Sequence, residues 1–169
     1  MLPLVSVQRR EQAMRYKHTH GQFCCLKSWL MLKELMDERM QGLMDEWEYN
    51  EHGKPSFTPS LLHSFTPYFS ISHCKEGIAV VVDEKPIGID IENIRHVDED
   101  LVQRTMNERE REQIQTDRDF TRLWTQKEAV VKAQGIGIVS FEQLQNLLTP
   151  SRTIETIEKE KYIYSIAYE

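Results

Sequence analysis

The sequence predicts an α+β fold, on three observations. Short runs of alternating or β-branched residues cluster between positions 68 and 92, two long stretches carry helical spacing on either side of them, and the C-terminal segment returns to strand-like composition.

In chain order, Gln22 to about Met40 reads as a helix, with Phe23, Leu26, Leu30 and Leu35/Met36 on one stripe and no Gly or Pro before Gly42. "NEHGKPSFTPS" follows, where Gly53, Pro55 and Pro59 mark a long loop. "YFSIS" (68–72), "IAVVVD" (78–83) and "IGIDIE" (87–92) read as three strands joined by "HCKEG" and "EKP", most simply a meander. "VDEDLVQRTM" reads as a helix. Asn107 with Glu110 three positions on gives a capping-box pattern, and Asp119 reads as the cap of "FTRLWTQKEAVVKAQ", which Gly135 closes. "TIETI" and "YIYSIAY" complete the strand-like content.

At 169 residues the chain buries enough surface to fold without disulfides or a structural metal. No apolar run approaches the ~20 residues of a membrane span, and "MLPLVSVQRREQ" lacks a signal-peptide core, so a cytoplasmic protein with no membrane partner is expected. Cys24 and Cys25 are adjacent, which suits neither a disulfide framework nor zinc, and His18-x-His20 reads as a surface loop. A net charge of -6 argues against nucleic acid as a partner. Charge is uneven, however: in "VQRREQAMRYKH", Arg9, Arg10, Arg15 and Lys17 stand against Glu11 alone, leaving +3, where a small polyanion could dock or where a helix is merely solvated.

The chemistry concentrates in two stretches. In "IGIDIE" Ile87, Ile89 and Ile91 share one face of the strand, and Gly88, Asp90 and Glu92 share the other. Carboxylates two residues apart, roughly 6.5 to 7 Å along a strand, can share a cation. Taken alone, the strand is better explained as an ordinary wet edge, since acidic residues are mostly exposed. In the helix from Phe120 the apolar stripe through Leu123, Trp124 and Val131 is interrupted by Lys127 and Glu128. Lys132 stands at i,i+4 from Glu128, so a surface ion pair competes as an explanation, but such a pair leaves the interrupted stripe unaccounted for. A third carboxylate brought over Asp90 and Glu92 accounts for it. Three carboxylates without Cys or His make a hard oxygen site that suits Mg2+ and the phosphates Mg2+ commonly holds.

These residues resemble the 4'-phosphopantetheinyl transferase family. "IGIDIE" resembles its first signature and "WTQKEAVVK" its second, about three dozen residues later; "GKP" (53–55), "YFSISHC" (68–74) and the basic "SVQRRE" extend the likeness over Ser6 to Val139, closest to the surfactin-synthetase-activating type. The resemblance implies two similar α+β lobes related by a pseudo-twofold axis, divided here as residues 1–84 and 85–169, with the first strand reduced to "LPLVSV". It implies transfer of the phosphopantetheine arm of coenzyme A to a serine of an apo acyl or peptidyl carrier protein, releasing adenosine 3',5'-bisphosphate. By the motif match Asp90, Glu92 and Glu128 would hold Mg2+, Lys132 would neutralise the departing phosphate, and Glu128, with Glu110, would help remove the serine proton. Lys54, Ser72 and His73 match coenzyme A contacts, and Arg9 falls where the type has a basic contact to the nucleotide phosphates, with Gln12 where a second base would be welcome. A magnesium-dependent nucleotide phosphohydrolase and a non-catalytic carrier-protein-binding paralogue are the alternatives.

Overall fold

The computed structural model describes residues 5–36, 47–51, 54–57, 67–138 and 140–169. Ser6 caps helix α1 (Val7–Met14), its hydroxyl accepting the Arg9 N–H at 3.4 Å. Helix α2 (Thr19–Leu35) stops at Met36, which is already extended, so it is shorter than the spacing suggests. His18 is its N-cap residue and His20 lies in its first turn, not in a loop. Its buried stripe runs through Cys25, Trp29, Leu32 and Met36, while Phe23 and Leu35 are exposed. Cysteine and tryptophan join Leu26 and Met36 on the buried face, with Leu30 packed against it, so the face is turned away from Phe23 and Leu35 only. Gly42 and the last residues of that expected helix, with Gly53 and Pro59, lie outside the described residues, as do Leu2, Pro3 and Leu4 of "LPLVSV", whose Ser6 and Val7 open α1 rather than form a strand.

The expected long loop contains a small hairpin: β1 (Trp47–Tyr49) pairs antiparallel with β2 (Pro55–Phe57), Trp47 opposite Phe57. Trp29, Trp47, Phe57 and Phe69 form an aromatic core with ring centroids as close as 4.7 Å. β3 (Tyr68–His73) and β4 (Ile78–Asp83) form the next hairpin.

The meander ends there. β5 (Ile87–Asn93) forms its ladder with β7 (Tyr162–Tyr168), which also pairs with β6 (Thr153–Glu158), in the order β5-β7-β6. On its other edge β5 runs beside β3 without a backbone ladder. Instead Ser70 Oγ accepts the Ile89 N–H at 3.1 Å and Ser72 Oγ accepts the Ile91 N–H at 3.3 Å. Two hydroxyls thus satisfy buried amides that would otherwise be orphaned.

Helices α3 (Glu99–Thr105) and α4 (Glu108–Arg111) follow, the latter opened by the expected Asn107/Glu110 capping box. Helix α5 (Asp117–Gln134) is capped by Thr116, and Asp119 is the reciprocal partner three residues into the helix rather than the cap itself. It closes on Gly135 at φ 71, a left-handed conformation that glycine adopts without strain. Helix α6 (Phe141–Gln145) was not legible in the sequence. Helix α5 packs on β5 and β7, and Gly88 permits its approach: a Cβ there would lie 1.9 Å from the Ala129 carbonyl oxygen. Separate apolar cores therefore form, one from residues 5–82 and the others beneath α5.

Candidate active site

The close contact at Gly88 turns the Gly88, Asp90, Glu92 face of β5 toward α5, so the helix residues near Ala129 stand over the two acids. Asp90 is 3% exposed. Its Oδ1 accepts from Lys132 Nζ at 2.6 Å and from the Ser72 hydroxyl at 2.8 Å, and Lys132 Nζ also reaches Ser72 Oγ at 3.0 Å. Lys132 thus ties α5, β5 and β3 at one point, and it does so through Asp90 rather than through an i,i+4 pair with Glu128.

Glu128 lies in the field of the same acids. Burial, then repulsion from Asp90, pushes its pKa up to about 7, with Glu92 adding and Lys132 opposing. Glu92 is raised as well, by burial first and Asp90 second. Lys54 lies at the same place: its ammonium donates to the carbonyls of Lys132 and of Ile87, the latter at 3.4 Å, and burial together with Lys132 pulls its pKa down to about 8. A cavity of about 250 Å³ opens beside these groups, lined by Lys54, Phe69, Ile71, Glu128, Val131 and Lys132. His73, at the end of β3, is largely open to solvent. Partial burial, then the neighbouring cations His20, Lys132 and Arg9, lower its pKa.

Among the described residues no three side chains from His, Cys, Asp and Glu converge as a ready-made metal cluster. The residues nonetheless fit a hard cation. Asp90 Oδ2 is buried without any hydrogen-bond partner, and three carboxylates stand against the two ammonium groups of Lys132 and Lys54, the first of which already occupies the other Asp90 oxygen. Surplus negative charge at buried oxygens is the donor set such an ion requires.

Two expected site residues are engaged elsewhere. Arg9 is 5% exposed and serves the core: Nε donates to the Cys25 carbonyl at 3.0 Å, Nη1 to Gln12 Oε1 at 2.6 Å and Nη2 to Ser28 Oγ at 3.2 Å, with the guanidinium 4.6 Å from the Trp29 ring. Its donors hold α1 on α2 rather than facing a nucleotide, and Gln12 is one of their acceptors. Glu110 is also buried, its Oε2 accepting from Lys127 Nζ at 2.7 Å and from the Asn107 N–H at 2.8 Å. Lys127, fully buried, also donates to the Leu144 carbonyl at 2.5 Å. The interrupted stripe on α5 thus has two separate causes, Lys127 anchoring α4 and α6 and Glu128 facing Asp90. Ser70, inside "YFSISHC", and Asn50 carry structure around the site that their local sequence does not announce.

The model of the 4'-phosphopantetheinyl transferase superfamily matches residues 86–168, the segment that holds β5, α5 and the Asp90 and Lys132 pair. That segment is just under half of the chain, and over it the sequence is similar to the superfamily. It is 26% identical over 142 residues to 4'-phosphopantetheinyl transferase psf-1 of Bacillus pumilus, covering 80% of this chain and 60% of that protein. A 4'-phosphopantetheinyl transferase of Bacillus subtilis is 29% identical over 147 residues, covering 82% and 63%. 4'-phosphopantetheinyl transferase AcpT of Salmonella typhi is 35% identical over 118 residues, covering 64% and 58%. The chain therefore spans less than two thirds of the length of these relatives.

Proposed function

We propose that the protein transfers the 4'-phosphopantetheine arm of coenzyme A to a serine of an apo acyl or peptidyl carrier protein, in the cytoplasm. The observation that carries this reading is the buried Asp90, bridged by Lys132 and Ser72 beneath Glu128, within the two motifs of the superfamily. Asp90, Glu92 and Glu128 would hold Mg2+, which when bound would offset the charge of the coenzyme A pyrophosphate. Lys132 Nζ would donate to the departing phosphate oxygen, and Glu128 would receive the proton of the attacking serine. The serine oxygen forms the new P–O bond, and the bond to the leaving adenosine 3',5'-bisphosphate breaks. No covalent enzyme intermediate is required, because this chemistry is mostly positioning and charge neutralisation.

Lys54, Ser72 and His73 would contact coenzyme A from the first lobe, residues 1–84, and the second, residues 85–169, would supply the cation ligands. The separate apolar cores support that division, and a helix against an antiparallel sheet in each half supports a pseudo-twofold relation. Among the described residues no helix is long and apolar enough to cross a membrane. Incubation with coenzyme A, Mg2+ and a panel of apo carrier proteins, followed by mass spectrometry of the carriers, tests the reading. Addition of one phosphopantetheine arm is expected. Coenzyme A cleaved with every carrier unmodified would point to a phosphohydrolase instead, and coenzyme A bound but intact to a non-catalytic paralogue.

A further inference from the structure

The last carbonyls of a helix have no partner within it, and their partners fix where the helix ends. In α5 those partners come from a remote segment, the turn between β1 and β2. Asn50 N–H donates to the Lys54 carbonyl at 3.0 Å, and the Lys54 N–H returns to Asn50 Oδ1 at 2.9 Å, which closes the turn. Because Oδ1 accepts from a backbone N–H, the other end of the amide must be the donor, and Nδ2 donates to the Gly135 carbonyl at 2.7 Å. From the same turn the Lys54 ammonium donates to the Lys132 carbonyl, within the last turn of α5, and to the Ile87 carbonyl, at the first residue of β5. A cation at this end also complements the partial negative charge of the helix C-terminus.

One turn therefore grips the end of the helix that bears Glu128 and Lys132 and the start of the strand that bears Asp90 and Glu92. We infer that Asn50 and Lys54 form a clasp holding the C-terminal turn of α5 in register with β5, which makes Asn50 a positioning residue for phosphopantetheine transfer. The inference rests on the transfer reading above for its last clause only. Asn50 acts through the backbone of residues 132–135, from which Lys132 projects toward Asp90. Lys54 is then both a cavity-lining cation and part of the frame that sets the distance between Lys132 and Asp90.

Two variants test this. Asn50→Asp keeps the acceptor for the Lys54 N–H and places an anion against the Gly135 carbonyl, and Asn50→Ala removes both bonds. The first readout needs no substrate: hydrogen exchange of the backbone amides at 131–138. The second is steady-state transfer from coenzyme A to a carrier protein that the wild-type protein modifies, with kcat and KM determined separately. Exchange at the end of α5 should accelerate about tenfold, the effect of one lost hydrogen bond. kcat should fall by a similar factor, with KM for coenzyme A nearly unchanged. Unaltered exchange in both variants overturns the clasp. Faster exchange with kcat within about twofold of wild type, or a change confined to KM, overturns the positioning role. If the wild-type protein modifies no carrier, the transfer reading fails by itself and the exchange data still judge the clasp.

Discussion

Replacing Glu128 with Gln should make the metal-free protein more stable while abolishing transfer. The magnitude follows from the site. Burial and Asp90 raise the Glu128 carboxyl from an ordinary 4.5 to about 7, so the folded state holds that proton more strongly than the unfolded chain. A raised carboxylate pKa gives a definite sign. Below 4.5 the group is neutral in both states and costs nothing; between 4.5 and about 7 the unfolded chain alone releases the proton; above about 7 the full cost applies. That cost is roughly 3 kcal/mol. Burying the glutamine amide returns about 1 kcal/mol of it, which leaves a net gain of about 2 kcal/mol. For a chain of this size the gain corresponds to a rise in Tm of about 4 to 8 °C. Urea denaturation of wild type and Glu128→Gln with a chelator present, at pH 8.5 and again near pH 5, measures it. The variant should be the more stable at pH 8.5 and close to wild type near pH 5. A variant less stable at pH 8.5, or a gap that ignores pH, would refute the claim that Glu128 is held against its preference beside Asp90.

Two further outcomes follow from the packing. Gly88→Ala should destabilise the protein by about 3 kcal/mol, because its Cβ meets helix backbone at 1.9 and 2.4 Å and no flexible side chain can yield; thermal unfolding measures this, and a Tm within a degree of wild type would contradict the observed approach of α5. Lys127→Met should cost about 3 to 5 kcal/mol by leaving the Glu110 charge buried and unpaired, and adding Glu110→Gln should recover most of the loss. If Glu110 is a brace, that double variant retains transfer within several-fold of wild type; a folded double variant without turnover would return a proton-transfer role to Glu110.

Much of the site was legible because charge stood where the local pattern expected burial. Asp90 and Glu92 on an isoleucine-backed strand, and Lys127 with Glu128 on an apolar stripe, are departures from periodicity that a sequence exposes directly. The Asn107/Glu110 box and Gly135 were legible for a different reason, since caps depend only on neighbours within one turn. What escaped depends on distant partners. Arg9 looks identical in sequence whether it faces a phosphate or the Cys25 carbonyl and the Trp29 ring. Lys127 and Glu128 are adjacent letters, yet one serves α4 and α6 and the other the acids of β5. The β1 and β2 hairpin is three residues a side and begins its second strand with Pro55, too short and too broken for alternation to register. The departure of β5 from the meander was hidden because its partner, β7, lies some seventy residues later.

The seam between β3 and β5 differs in kind from the ladders around it. A ladder is made of peptide groups, which every amino acid supplies, so it is almost indifferent to substitution. Ser70 and Ser72 instead entrust the alignment of the two sheets to two Oγ atoms, and each is one codon away from a methyl group that accepts nothing. Ser72 also donates to Asp90, so drift at this join alters the electrostatics of the acids at the same stroke. The relative placement of the two halves is therefore a heritable, tunable trait, open to selection at two positions without rebuilding either half.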